Sequence, residues 1–290
     1  MTTYFNLLRP KQWVKNLFIL LPLIFGQKLF SFPENLRAVF VFGIFSLASS
    51  AGYILNDIFD RNYDRTHPVK RLRPVASGKV SVQSAWIICV LLAFSSIGLS
   101  FGLGWDVALV LLTYMGANLL YTLFFKRLVL IDVFCLALFT CLRIVAGTVV
   151  TGVIYSHWMI IMAVLLALFL GFQKRRNELG NQEETGTVTR PVLYKYSQHF
   201  IDQVVSVLTS SIVVTYMLYT FDKGTVDKIG STHLMYSIPF VYYGVFRYLY
   251  IIHKLGFGED PTVILFIDRM TQLNLLLWLI VCTSVIYLGF

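Results

Sequence analysis

The chain reads as an all-α, polytopic membrane protein. The observations that predict this class are 57% hydrophobic residues, only 13% charged residues over 290 positions, and a mean hydropathy of +0.71. A soluble domain carries about 25% charged residues, so this chain lacks the polar residues to coat a water-facing surface of its size. That excludes an ordinary cytosolic enzyme, a disordered protein and a secreted disulfide scaffold. Cys89, Cys135, Cys141 and Cys282 lie in apolar runs without a CxxC pair. They read as small hydrophobes in a packed bundle. The opening MTTYFNLLRPKQWVKN has three cations before an apolar stretch and no small-residue cleavage site after it. The first hydrophobic stretch is therefore expected to be retained.

A spanning helix needs about 20 mostly apolar residues. Nine stretches qualify: Leu17–Phe30, Leu36–Leu55, Ala85–Leu103, Val107–Phe125, Ile131–Val150, Trp158–Phe172, Val204–Phe221, Leu234–Ile252 and Leu273–Leu288. The first is short and holds Pro22, which predicts a kink. The runs are continuous rather than alternating, which favours helices over barrel strands. With the N-terminus inside, 19 of the 24 Lys and Arg residues fall on the inner side. Only Lys28, Arg37, Lys223 and Lys228 fall outside, and Arg143 alone lies within a span. Positive charge marks the cytoplasmic side, so the expected topology is N-terminus cytoplasmic and C-terminus outside. Most carboxylates also lie inside; the exceptions are Glu34, Asp106, Asp222 and Asp227. A chain with its polar groups on one face is expected to work on that face. No linker or second domain interrupts the pattern, so residues 1–290 read as one membrane domain.

The densest chemistry is NDIFDRNYDRTHPVKRLRPVASG, residues 56–78. Asp57, Asp60 and Asp64 are spaced i, i+3, i+7 and share one face if the second span continues as helix. Asn56 sits at the edge of that face. Carboxylates gathered so closely repel one another unless a cation lies between them. Mg²⁺ takes oxygen ligands and bridges carboxylates to substrate phosphates, so Asp57, Asp60 and Asp64 are the candidate metal ligands. The plainer alternative is a solvated helix end, ion-paired to Arg61 and Arg65. Against it stand Lys70, Arg71 and Arg73 between Pro68 and Pro74, since guanidinium forks suit phosphate oxygens.

Other inner segments supply further candidates. YTLFFKR offers Tyr121 and Lys126, and GFQKRRNEL offers Lys174, Arg175 and Glu178 beside Arg176. RPKQWVKN offers Arg9, Lys11, Lys15 and Asn16 around Trp13. For each cation, simple inside-positive topology is the competing explanation, and for Trp13 it is an interfacial anchor with snorkelling neighbours. Arg143 is expected to face the bundle interior, because a cation in a span is costly elsewhere; its role there is structural or ligand-facing, and it counts among the candidate phosphate-binding residues. The late segment GEDPTVILFIDR, with Glu259, Asp260, Asp268 and Arg269, reads as a membrane-surface loop.

At these residues the sequence resembles the UbiA-type intramembrane prenyltransferase superfamily. NDxxDxxxD at Asn56–Asp64 and RxHPxKRxRPxASG at Arg65–Gly78 carry the resemblance. RPKQWVKN at 9–16, YTLFFKRLVLIDVF at 121–134, KRRNEL at 174–179 and DPTVILFIDR at 260–269 make it similar to the polyprenyl-phosphate phosphoribosyltransferase branch. The resemblance implies a nine-helix bundle in a prokaryotic membrane, with its active site facing the cytoplasm. It also implies Mg²⁺ as cofactor, with 5-phosphoribosyl 1-diphosphate and a polyprenyl phosphate as substrates. Members that use prenyl diphosphates carry a second aspartate-rich motif after span six, where this chain has KRRNE. A wall of Lys174, Arg175 and Glu178 is expected there instead.

Under this reading, Asp57 and Asp60 hold the ion that stabilises the leaving diphosphate, and Lys126, Lys174 and Arg175 hold other phosphates. The lipid phosphate is already anionic, so no strong general base is required, and the five scattered histidines offer none. Two alternatives stay open: an aromatic prenyltransferase using a prenyl diphosphate donor, and a lipid or phosphometabolite transporter.

Overall fold

A computed structural model describes residues 2–67, 69–153, 156–185, 191–255 and 261–289. Among these residues the chain is helical, without a strand. Seven helices among the described residues are long and apolar enough to cross a membrane. The chain gathers into two compact units, Met1–Tyr155 with Leu179–Tyr196, and Ser156–Glu178 with Ser197–Phe290. Pro68, Arg190, Glu259 and Asp260 lie outside the described residues.

The first unit opens with α1 (Thr2–Leu8), a 3₁₀ stretch (Pro10–Leu20) and α2 (Leu21–Phe25). The expected span Leu17–Phe30 is therefore not one α-helix. Pro22 has no N–H for an i→i−4 bond, and Gln27 turns the chain with φ 58°. A 3₁₀ helix rises about 2 Å per residue, so this stretch covers more depth per residue than an α-helix. Next come α3 (Phe32–Phe59), α4 (Arg61–Thr66), α5 (Val82–Leu103), α6 (Trp105–Leu123) and α7 (Ile131–Thr151).

The long α3 has Pro33 in its first turn, where a missing N–H costs nothing. Ala38, Val41, Phe45, Ala48, Ala51 and Ile54 are buried at three- and four-residue spacing, the stripe of a helix packed in a bundle. Ala38, Val41, Phe45 and Ala48 meet Leu111 and Tyr114 of α6 and Phe139 and Ala146 of α7 in one core, while Ala51 and Ile54 belong to a second cluster. The 3₁₀ stretch lies against α7 at Gly147, where an added Cβ would collide with the Ile19 carbonyl.

The second unit contains α8 (His157–Thr185) up to Glu178, then α9 (Gln198–Phe221), α10 (Lys223–Ile229), α11 (Ile238–Leu255), α12 (Pro261–Ile267) and α13 (Arg269–Leu288). Ser197, Asp222 and Asp268 cap α9, α10 and α13 through side-chain oxygens, as N-cap residues do. Phe169 of α8 packs on Tyr248 of α11, ring centroids 5.4 Å apart. The expected stretch Leu234–Ile252 begins in a 3₁₀ turn, His233–Ser237, and continues as α11. That helix carries Arg247, His253 and Lys254 and is not among the seven apolar helices.

Candidate active site

The apolar stripe of α3, extended one turn past Ile54, arrives at Asp57, which is buried. The helix then stops at Phe59, and Asp60 turns the chain with φ −91° and ψ 3° before α4 begins. The expectation that Asp57, Asp60 and Asp64 ride one continuous helix face is corrected here. Their ion-pair partners divide them into two groups. Among the described residues, no three His, Cys, Asp or Glu side chains gather closely enough to form a ready-made metal set.

Asp57 and Asp64 form the first group, and Arg73 joins them. Its Nη1 donates to Asp57 Oδ1 at 3.1 Å and to Asp64 Oδ2 at 2.6 Å. Arg73 reaches both because the following loop folds tightly back. The Ser77 N–H bonds the Arg73 carbonyl at 2.8 Å, the Val80 N–H bonds the Pro74 carbonyl at 3.0 Å, and Gly78 takes φ 76°. Val75 and Val80 are buried with Leu7, Ala51, Ile54 and Cys89 and anchor that loop to α3. The RPxASG part of the motif is thus a structural clamp that holds Arg73 against the two aspartates. Arg71 is exposed, while Lys70 is half-buried with its N–H on His67 Nδ1 at 3.3 Å.

Arg9, one of the cations RPKQWVKN offered, completes this group. Its Nη2 donates to Asp57 Oδ1 at 2.5 Å, and its guanidinium lies 5.4 Å from the Tyr53 ring centroid. Arg9 adopts φ 53° and ψ 58° directly before Pro10, a left-handed conformation that a non-glycine residue holds only at a cost. The sequence signal was the RP dipeptide opening RPKQWVKN. Its partner lies 48 positions away, so no local pattern could name it.

In the second group, Lys126 Nζ donates to Asp60 Oδ1 at 2.6 Å and to Asn56 Oδ1 at 3.1 Å. Tyr121, one turn earlier, packs edge-on against Phe139. The first unit thus interleaves three carboxylates with Arg9, Arg73 and Lys126. Lys15 is half-buried in the 3₁₀ stretch.

Arg143 faces inward as expected, and its hydrogen bonds go to neutral protein groups. Nε donates to Asn16 Oδ1 at 2.7 Å, Nη1 to the Phe139 carbonyl at 2.9 Å and Nη2 to the Tyr114 hydroxyl at 2.9 Å. Asn16 in turn donates to Ser46 Oγ at 3.0 Å, and Trp13 Nε1 donates to Ser50 Oγ at 3.0 Å. This node ties the 3₁₀ stretch to α3, α6 and α7, and so fixes the segment that begins at Arg9.

In the second unit, Arg175 is fully buried and its Nη1 donates to Glu178 Oε2 at 2.6 Å, one helical turn away. Lys174 is half-buried. Arg176 pairs with Asp202 of α9 at 2.7 Å.

The profile of the UbiA prenyltransferase family matches residues 17–255. The chain belongs to the UbiA prenyltransferase family. It is 31% identical to a decaprenyl-phosphate phosphoribosyltransferase of Mycobacterium tuberculosis, covering 97% of this chain and 93% of that one. It is 32% identical to a decaprenyl-phosphate phosphoribosyltransferase of Corynebacterium glutamicum, covering 97% and 86%. A UbiA homologue from Archaeoglobus fulgidus, solved with DMAPP and Mg²⁺, superposes with a TM-score of 0.71 at 20% identity, over 98% of this chain and 99% of that one. That likeness establishes the shared fold.

For this UbiA-family chain, whether its residues suit magnesium can be asked of the carboxylates themselves. Asp57 Oδ2 is buried and has no hydrogen-bond partner among the described residues. A buried carboxylate oxygen without a donor is costly, and hard oxygen is what Mg²⁺ selects. Burial raises the Asp64 carboxyl above its ordinary range, Arg73 pulls it back, and the neighbouring Asp57 and Asp60 push it up again. A further positive charge near these oxygens would relieve both. The donor set fits a magnesium ion.

Proposed function

We propose that this chain transfers 5-phosphoribose from 5-phosphoribosyl 1-diphosphate to a polyprenyl phosphate, releasing diphosphate, with Mg²⁺ as cofactor. The bond from ribose C1 to the diphosphate breaks, and a phosphate oxygen of the lipid forms the new bond at C1. The product is polyprenyl-phosphoryl 5-phosphoribose, a precursor class suited to envelope sugars. The observation that carries this reading is the Asp57–Arg73–Asp64 junction, a carboxylate pair with a phosphate-type fork between its members. Support comes from near-full-length similarity to two relatives named for the same transfer.

Asp57 and Asp64 would hold the magnesium ion, with Asp60 as the third carboxylate. Bound there, the ion supplies positive charge to the departing diphosphate. Arg9, Arg73 and Lys126 lie on those carboxylates, and with an ion on the acids each would be available to phosphate oxygens. Asn56 keeps Lys126 in place during that exchange. Lys174, Arg175 and Glu178 serve the remaining phosphates of donor and acceptor, and Lys15, Lys70, Arg71 and Tyr121 complete the anion-binding set. The acceptor phosphate is ionised at neutral pH, so the chain needs no general base.

The chain works within a prokaryotic membrane with its reacting face toward the cytoplasm, as one domain of nine crossings. The inner excess of Lys and Arg supports that topology, with α11 and the Pro10–Phe25 segment adding to the seven long helices.

The test is transfer by purified protein from labelled donor to polyprenyl phosphate. Product is expected only with divalent metal. Full transfer in EDTA overturns the metal assignment. Product from a prenyl diphosphate and an aromatic acceptor, with none from the phosphoribosyl donor, overturns the reaction.

A further inference from the structure

Gln173 lies in α8 between Phe172 and Lys174, and its side chain is wholly buried. Neither Nε2 nor Oε1 of its amide has a hydrogen-bond partner among the described residues. Its surroundings make that expensive. Phe169, one turn earlier on the same face, is buried against Tyr248, and Phe172 is buried beside it. An unpaired amide shut away from water loses its hydration without compensation. A methionine or leucine would fill the same volume without that cost. A buried polar side chain with both ends unmet calls for a partner from outside the polypeptide.

The chemistry of the amide narrows what that partner is. Nε2 offers two donors and Oε1 one acceptor group. A phosphate would satisfy Nε2 and leave Oε1 facing an anion. A metal cation would suit Oε1 and repel Nε2. An isoprenoid chain would satisfy neither. A hydroxyl both donates and accepts, so two neighbouring hydroxyls satisfy both ends at once. The next residues along the helix are Lys174 and Arg175, which suit the charged parts of the same kind of ligand.

We infer that Gln173 is a specificity-determining residue whose amide pairs with the ribosyl hydroxyls of the donor. The inference rests on the phosphoribosyl-transfer reading above, and the experiment separates the two. Full-length wild-type protein is first assayed with 5-phosphoribosyl 1-diphosphate. Absence of any transfer overturns the reaction itself. Given transfer, wild type, Gln173→Met and Gln173→Leu are compared on the donor and on its 2-deoxy and 3-deoxy analogues.

The apolar variants are expected to lose about 10- to 100-fold in kcat/KM on the hydroxylated donor. They should lose much less on the analogue lacking the contacted hydroxyl, so the preference for the hydroxylated donor collapses. Their melting temperature without donor is expected to equal or exceed that of wild type, because an unmet amide has been removed. If the apolar variants fail to fold, Gln173→Asn keeps an amide but withdraws it by one carbon, and the same collapse is expected. A variant that folds and keeps the full wild-type preference overturns the inference and leaves the amide to internal water.

Discussion

Two arginines of the first unit, Arg73 and Arg143, solve the problem of a sheltered positive charge in opposite ways. Arg73 bonds two carboxylates and keeps about a quarter of its side chain exposed. Arg143 is buried and bonds an amide oxygen, a backbone carbonyl and a phenol, with its guanidinium 5.0 Å from the Tyr114 ring centroid. Charge-to-charge bonds near an opening can be exchanged for phosphate and metal, because each side finds an equal partner elsewhere. Bonds to neutral dipoles in the bundle interior have no such substitute, so Arg143 is held in place by its neighbours. Position on the helix decides which role an arginine plays: Arg73 sits in a loop past the end of α3, Arg143 in the middle of α7.

Substitution should separate the two roles. The largest effect on chemistry is expected from Asp57→Asn. It keeps an oxygen for Arg9 and Arg73 but removes the charge, and transfer should fall at least about 100-fold with the fold intact. Initial rates against metal concentration, with a melting curve as control, check this; wild-type metal dependence in the variant would sink it. Arg143→Leu should do the reverse. It strips Asn16 and Tyr114 of a partner and should cost about 2–4 kcal/mol of stability, read as a lowered unfolding midpoint, while the surviving folded protein keeps its metal requirement. Lys126→Met is expected to be milder. Asp60 and Asn56 lose their cation, and KM for the donor should rise about tenfold with a smaller change in kcat. An unchanged KM would place Lys126 outside the donor site.

Much of this was legible in the residues. Helical class followed from uninterrupted apolar runs, and seven long helices match seven of the nine expected stretches. The stripe Ala38–Ile54 also points to an inward Asp57. The failures have identifiable physical causes. Pro22 pointed to a kink in Leu17–Phe30, but apolar content does not show that the chain up to Leu20 follows a 3₁₀ path before α2 begins. The three aspartates were placed on one helix by spacing, but spacing cannot show that the helix stops at Phe59. Arg9 was invisible as a partner of Asp57 because long-range packing, not local pattern, brings them together. The segment DRMT, in contrast, held a readable signal: Asp three residues before Thr at a helix start is an N-cap, and Asp268 caps α13 through the Thr271 N–H at 2.8 Å.

Asp268 also offers a third kind of ion pair, and it gives the smallest and most specific prediction. Arg247 of α11 binds it through Nε at 3.2 Å and Nη2 at 2.8 Å. Arg247 and then Thr271 hold the Asp268 carboxyl down at about 2, against an ordinary value of 3.8. A depressed carboxylate stabilises the fold above its ordinary value, and that contribution fades as pH falls from there toward 2. Asp268→Asn keeps the cap but loses the charge. Because the pair is partly solvated, the expected cost at neutral pH is only about 0.5–1 kcal/mol, with transfer activity changed less than about twofold, within the scatter of surface substitutions. Melting curves of wild type and variant at pH 7 and near pH 3 decide the matter. The gap between them should narrow in acid; an equal gap at both pH values would mean that the geometry of the cap, not its charge, does the stabilising.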